Sequence, residues 1–174
     1  MKQISKFLIL AAVMLSFTAA TFAQVSSTAT ATATIVTPIS ISAASANLSF
    51  GNIIQTVPAN PATVTVDPAT GLASYTNATT SAAPAATAAI TRATFTVTGT
   101  PGAAYSILLP GSVTLNGPGT NTMIADNFAS SPVTPGTLTG GTSTLYVGAR
   151  LNLIANQAGG TYTSAAFTVT VNYQ

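Results

Sequence analysis

The chain reads as an all-β protein built as an antiparallel β-sandwich, and three observations carry that reading. Apolar and polar residues alternate with period two along several stretches, as half-buried strands do. In FTVTVNY, for example, Phe167, Val169, Val171 and Tyr173 take one side, with Thr168, Thr170 and Asn172 on the other. Turn signals separate these stretches at short intervals, and no long helical pattern lies between them, which favours a sandwich over βαβ units. Charged residues make up 3% of the chain, against roughly 25% in ordinary globular domains. Disorder of the common kind would bring high charge and few β-branched residues, whereas this chain is rich in Thr, Val and Ile.

The first residues are expected to be a targeting segment rather than part of the fold. Lys2 and Lys6 form a charged start, Phe7 to Phe17 an apolar run, and TAATFAQ a small-residue cleavage region, which together read as a signal peptide over residues 1–23. The apolar run is shorter than the roughly 20 residues a membrane helix needs. Cleavage is expected between Ala23 and Gln24, and no cysteine stands nearby to make a lipoprotein. The protein is therefore expected to be exported to the periplasm, the cell surface or the medium, with no transmembrane segment in the mature chain.

Charge then says little about partners. The whole chain has a net charge of +2, and Lys2 and Lys6 account for it. What remains is Arg92 and Arg150 against Asp67 and Asp126, a neutral balance with no electrostatic footprint for nucleic acid. The mature length suits one domain that buries roughly two-thirds of its unfolded surface. There are no cysteines to cross-link it. We read residues 24–42 as an N-terminal alternating segment and 43–174 as the sandwich domain.

Each strand can be justified in turn. Candidates in chain order are NLSFGNII, ATVTV, TFTVTGT, AYSILLP, SVTLN, NTMIADNF, TLYVGARLNLI and FTVTVNY. In TFTVTGT, Phe95 and Val97 oppose Thr94, Thr96 and Thr98. In TLYVGARLNLI the apolar side is Leu145, Val147, Leu151 and Leu153, with Gly148 expected at a bulge or a close backbone approach. The turns are DPATG (67–71), GTPG (99–102), NGPGTN (116–121), SPVTPG (131–136) and NQAGG (156–160), where Gly, Pro, Asn and Asp each supply a turn conformation. The Ala-rich SAAPAATAAITR holds Pro84 and threonines, so an irregular connection is expected there.

The opening of the mature chain is its most unusual stretch. In ATATATIVTPISIS one parity reads Ala29, Ala31, Ala33, Ile35, Thr37, Ile39, Ile41, and the other Thr30, Thr32, Thr34, Val36, Pro38, Ser40, Ser42. A linker would not hold parity so long. The run exceeds the usual strand length, so a break at Pro38 into two strands is expected. These strands either belong to the domain's own sheet or are lent to the edge of a neighbouring copy. Sheet edges are commonly guarded by lysine or other charge. The mature chain has no lysine, so its edges are poorly guarded and open to such pairing.

Catalytic chemistry is nearly absent. Beyond the leader there is no His, Cys, Glu or Lys, which excludes Ser–His–Asp and Cys–His sites and the usual zinc or haem ligands. A glycosidase-like pair would need Asp67 and Asp126 to share one cleft. Asp67, followed by Pro68, is instead expected to cap its own turn. Asp126 is expected to meet Arg92 or Arg150, or to help hold calcium with Asn127, although no D-x-D-x-D-G spacing supports calcium. No enzyme activity, metal or cofactor is expected.

Taken together, ATATIVTPISIS, LSFGNI, VTVDPATG, FTVTGTPGAAYSILLP and the C-terminal GTLTGGTSTLYVGARLNLIANQAGGTYTSAAFTVTVNYQ resemble the bacterial secreted family known as domain of unknown function 4402. The resemblance covers essentially the whole mature chain and carries over no catalytic residue. The tail YVGARLNLIANQAGGTYTSAAFTVTVNY is also similar to the end of spore-coat-U-like fimbrial subunits, though without their cysteines. That similarity implies an immunoglobulin-like sandwich of Greek-key type and assembly by strand donation.

The expected role is accordingly a structural subunit of a cell-surface fibre or extracellular matrix, pairing with itself or with other surface subunits. The candidate interface comprises Ala29, Ala31, Ala33, Ile35, Ile39 and Ile41 as donor or edge, with Phe167, Val169 and Val171 on the receiving strand. The alternative is a binding module, a glycan adhesin or an ice-binding face, since T-x-T runs place threonines in ranks on a sheet. A small outer-membrane barrel is a third class. It would need aromatic girdles and a polar lumen, and this chain has few aromatics and few charges.

Overall fold

The computed structural model describes residues 25–44, 47–81 and 89–174. The expected signal peptide and Pro84 lie outside the described residues. Two compact units are distinguished, 1–34 and 35–174. In the first, residues 25–34 form neither strand nor helix. The second carries all the described strands and is all-β, with no helix among its described residues.

The first seven strands are β1 (Ser40–Ala43), β2 (Ser49–Phe50), β3 (Ile53–Gln55), β4 (Ala62–Val66), β5 (Ala73–Thr76), β6 (Ala78–Thr80) and β7 (Ile90–Thr91). Then come β8 (Ala93–Thr98), β9 (Ala104–Leu108), β10 (Ser112–Asn116) and β11 (Thr122–Ser131). The last four are β12 (Gly136–Thr137), β13 (Thr142–Leu153), β14 (Thr163–Ser164) and β15 (Thr170–Tyr173). Every pairing is antiparallel.

β13 is the spine of the main sheet. One edge pairs with β11, and the other is divided between two strands. Thr142–Val147 pairs with β8, and Arg150–Leu153 pairs with β4. Gly148 sits at the changeover, where a Cβ would fall 2.1 Å from the Val66 carbonyl oxygen. It is thus a close-approach glycine. The irregularity itself falls on the partner strand, where the register of β11 shifts between Asp126 and Ala129 and Asn127 takes φ +48°. Asn tolerates that conformation better than most residues. The sheet extends outward as β1 on β8, β5 on β4, and β10 then β14 beyond β11. A second sheet runs β12–β9–β15, and β2–β7 and β3–β6 form two small pairs.

Inward-facing residues make two hydrophobic clusters. The first gathers Val64, Val66, Ala125, Leu151 and Leu153 with Phe50 and Met123. The second joins both larger sheets, with Val97, Leu145 and Val147 from one and Tyr105 and Val171 from the other, around Leu138. Phe128 packs against both clusters, and its ring meets that of Phe167 at 5.3 Å between centroids, tilted 52°.

Several elements differ from the sequence pattern. NLSFGNII is cut into β2 and β3 by Gly51, whose φ of +74° turns the chain. FTVTVNY is a strand only over Thr170–Tyr173, and residues 165–169 join no ladder. LASYTNATT, with little hydrophobic signal, supplies β5 and β6 because β4 and β3 offer them edges. The described part of the Ala-rich stretch yields β7 as its strand.

Candidate assembly site

The long alternating segment divides at Pro38. On its C-terminal side, β1 pairs with β8 in the register Ser40↔Thr98 to Ala43↔Phe95. Ile39 and Ile41 pack against the second cluster. Thr37 is tied to the 99–102 turn: its N–H donates to Thr100 Oγ1 at 3.0 Å, and its carbonyl accepts from the Tyr173 hydroxyl. That hydroxyl in turn accepts from the Thr100 N–H at 2.7 Å. On the N-terminal side, Ala29, Ala31, Ala33 and Ile35 carry no strand. Ile35 is 98% exposed and Val36 58%, an unfavourable display for two β-branched apolar side chains.

The outer edge of β1 is open. The Ala44 N–H donates to the Thr94 carbonyl at 2.8 Å, and in an antiparallel ladder this alternation turns the backbone groups of Ser42 and Ser40 toward β8. The backbone groups of Ile39, Ile41 and Ala43 therefore point out of the sheet, and no described strand pairs with them.

Of the receiving residues expected from the sequence, Val169 and Val171 are buried in the second cluster and Phe167 is half-buried beside it. Phe167 also lines two cavities. The larger, of about 1070 Å³, opens onto Phe50, Met123, Leu153 and Phe128 of the first cluster. The smaller, of about 450 Å³, lies between Leu108, Ser112 and Ala166. Val113 borders both. Sequence reasoning missed this cleft because its lining comes from segments far apart in the chain, from Ala43 to Phe167, and no local signal says that they meet around a cavity.

The charged residues are engaged elsewhere. Arg150 holds Asp126 in a two-point pair, with Nε donating to Oδ1 at 2.9 Å and Nη2 to Oδ2 at 3.0 Å. With its amide oxygen turned toward Arg150, Asn127 accepts from Nη1 and Nη2 at 3.2 and 3.3 Å. The Arg150 hydrogen bonds hold the Asp126 carboxyl below the usual carboxylate range, with help from Asn152. The Arg150 guanidinium is raised by the same pairing.

Asp67 caps its own turn by accepting from the Thr70 and Ala69 N–H groups at 2.8 Å each. The Thr70 backbone bond, then its hydroxyl, lowers the Asp67 carboxyl. Arg92 lies 3.5 Å from the centroid of the Tyr146 ring and donates to the Pro68 and Ala69 carbonyls. The two carboxylates thus serve separate structural contacts. Among the described residues no group of His, Cys, Asp or Glu is placed to hold a metal. No helix there is long and apolar enough to cross a membrane.

Comparison with protein families places this arrangement in context. Residues 39–173 match the model of the family described as Domain of unknown function (DUF4402), so the chain belongs to that family. No curated protein and no solved structure matches it. The matched region begins at Ile39, inside the alternating segment and just after Pro38.

Proposed function

We propose that this chain is an exported, non-enzymatic structural subunit of a cell-surface fibre or extracellular matrix, assembled by β-strand pairing between copies. One observation carries the reading. Ala29–Val36 keeps the alternation of a strand yet forms none, while its continuation Ser40–Ala43 is paired within its own sheet. An alternating segment with exposed Ile35, on a domain with an unguarded edge at β1, favours strand addition from outside. The leader, with its charged start, apolar run and small-residue end, supports export. The shared second cluster between two antiparallel sheets supports an immunoglobulin-like sandwich. The likeness of the tail to spore-coat-U-like subunits agrees with both.

The test compares a chain beginning at Gln24 with one beginning at Thr37, which keeps β1 and its anchor. Size-exclusion with light scattering and negative-stain microscopy should show oligomer ladders or filaments for the longer chain. The shorter should be a folded monomer. Two folded monomers would sink the reading.

A second reading, an extracellular binding face for a glycan or for ice, has one observation in its favour. Pairing sets Ser40, Thr98 and Thr142 in one rank across three strands, and Ser42, Thr96 and Thr144 in the next. Ice shaping or glycan capture by monomeric protein, lost on Thr96→Val with Thr144→Val, would favour it over assembly.

A further inference from the structure

We infer that the larger cavity is a binding groove for a neutral oligosaccharide. This goes beyond the assembly reading and does not depend on it.

The shape of the cavity is the first observation. Two continuous runs of chain line it, residues 47–55 and residues 157–167. Met123, Ala125, Leu151 and Leu153 close its base and are no more than 9% exposed. The core is therefore already covered, and a ligand would lie along the two runs rather than complete the fold. One junction between them is fixed. The Gln157 N–H donates to Gln55 Oε1 at 3.3 Å, and Gln157 Nε2 donates to the Tyr162 hydroxyl at 2.8 Å. That hydroxyl donates to the Ala158 carbonyl at 2.7 Å. A groove held in place before its ligand arrives loses less on binding. The volume of about 1070 Å³ is at the upper end for ligand pockets, about 300–1,000 Å³. That size suits an oligomer better than a single small ring.

The second observation is the pairing of aromatic rings with unused polar groups. Phe95, Phe128, Tyr162 and Phe167 line the cavity and are half-buried, so part of each ring stays reachable. Asn47, Asn52, Thr161 and Thr163 line it too, and their side chains bond to no other described residue. An amide or a hydroxyl both donates and accepts, as a sugar hydroxyl does. The C–H face of a sugar ring packs on an aromatic face, which is electron-rich.

The third observation is charge. No lining residue is charged, so a carboxylate, phosphate or ammonium group would give up water without a counter-ion. An acyl chain fails for the opposite reason, because it would leave the amides and hydroxyls unpaired. A neutral saccharide meets both conditions.

The test is calorimetric titration of the full mature chain with cellotetraose, maltotetraose and chitotetraose. A galacturonate tetramer and decanoate serve as charged and acyl comparisons. At least one neutral tetramer should bind one per chain, and neither comparison should bind. Asn52→Ala with Thr163→Val should weaken that binding by about tenfold or more without moving the urea midpoint, since neither side chain holds the fold together. Thr96→Val with Thr144→Val, on the outer face of the main sheet, should leave it unchanged.

Loss of binding with the Thr96 and Thr144 pair instead would move the site to the sheet face and overturn this inference. Binding of decanoate or galacturonate in place of the neutral tetramers would overturn it as well. So would the absence of heat with every neutral tetramer from chain that urea unfolding shows to be folded. Light scattering on the same samples reports assembly separately, so failure here leaves the strand-pairing reading standing.

Discussion

The two ends of β13 bury side chains of the same kind in different surroundings. At its N-terminal end Leu145 and Val147 are sealed between β8 and the β12–β9–β15 sheet, and Tyr105 and Leu138 are fully buried with them. At its C-terminal end Leu151 and Leu153 have β4 alongside, but the layer above them opens into the large cleft. The closed end has a second sheet to press against. The open end has two-stranded scraps, β2–β7 and β3–β6, and an interrupted ladder at β14. Both halves keep their cluster residues buried, but the second is closed by a sheet and the first borders a cavity.

The joint between the halves should be the most fragile point. Gly148→Ala drives a methyl into the Val66 carbonyl and Pro68 nitrogen, both backbone atoms that cannot rotate away. A loss of about 3 kcal/mol or more is expected, read from the urea midpoint, and a neutral result would mean the two halves are not held in one rigid sheet. Next in size is a paired comparison. Leu145→Ala in the closed half should cost about 3 kcal/mol, within the usual range for a sealed leucine. Leu153→Ala beside the cleft should cost about half of that, because side chains bordering the adjoining cavity can shift into the vacated space. Equal costs in the monomer would mean that the cleft is closed in solution.

The smallest effect concerns the ion pair beside the bulge. The Asp126 carboxyl is lowered in the fold, so its contribution is fully present above the unfolded carboxylate value of about 3.9 and is lost as pH falls through the lower folded one. Asp126→Asn should flatten that acid limb below about pH 4 and leave the midpoint at neutral pH little changed, since the pair is partly exposed. A large loss at neutral pH would show that Arg150 and Asn127 need the carboxylate to set the bulge.

Much of this was legible from residues alone. Period-two alternation located β4, β8, β9, β10, β11 and β13, and Asp67 followed by Pro68 announced a turn that the structure closes with Thr70. The two strands expected on either side of Pro38 are one: β1 forms after it, paired with β8, and residues 25–37 form none despite their alternation. Gly148, a glycine inside the strand pattern TLYVGARLNLI, was expected at a bulge or a close approach, and it is a close approach. The short strands β5, β6 and β12 were not legible, since nothing in ASYT, ATT or GT favours a strand without a neighbour to pair with. Nor was the fate of FTVTVNY, whose alternation is unbroken although only its last four residues join a sheet.

Local sequence, then, determined that this chain makes strands and where its turns fall, because alternation and turn residues are properties of a few adjacent positions. Tertiary structure decided which edges those strands share, that Arg150 rather than Arg92 takes Asp126, and that a large cavity lies between the first cluster and Phe167. Those outcomes depend on which distant segments meet. An alternating strand carries the same pattern whether its partner is its own sheet, a neighbour's, or nothing.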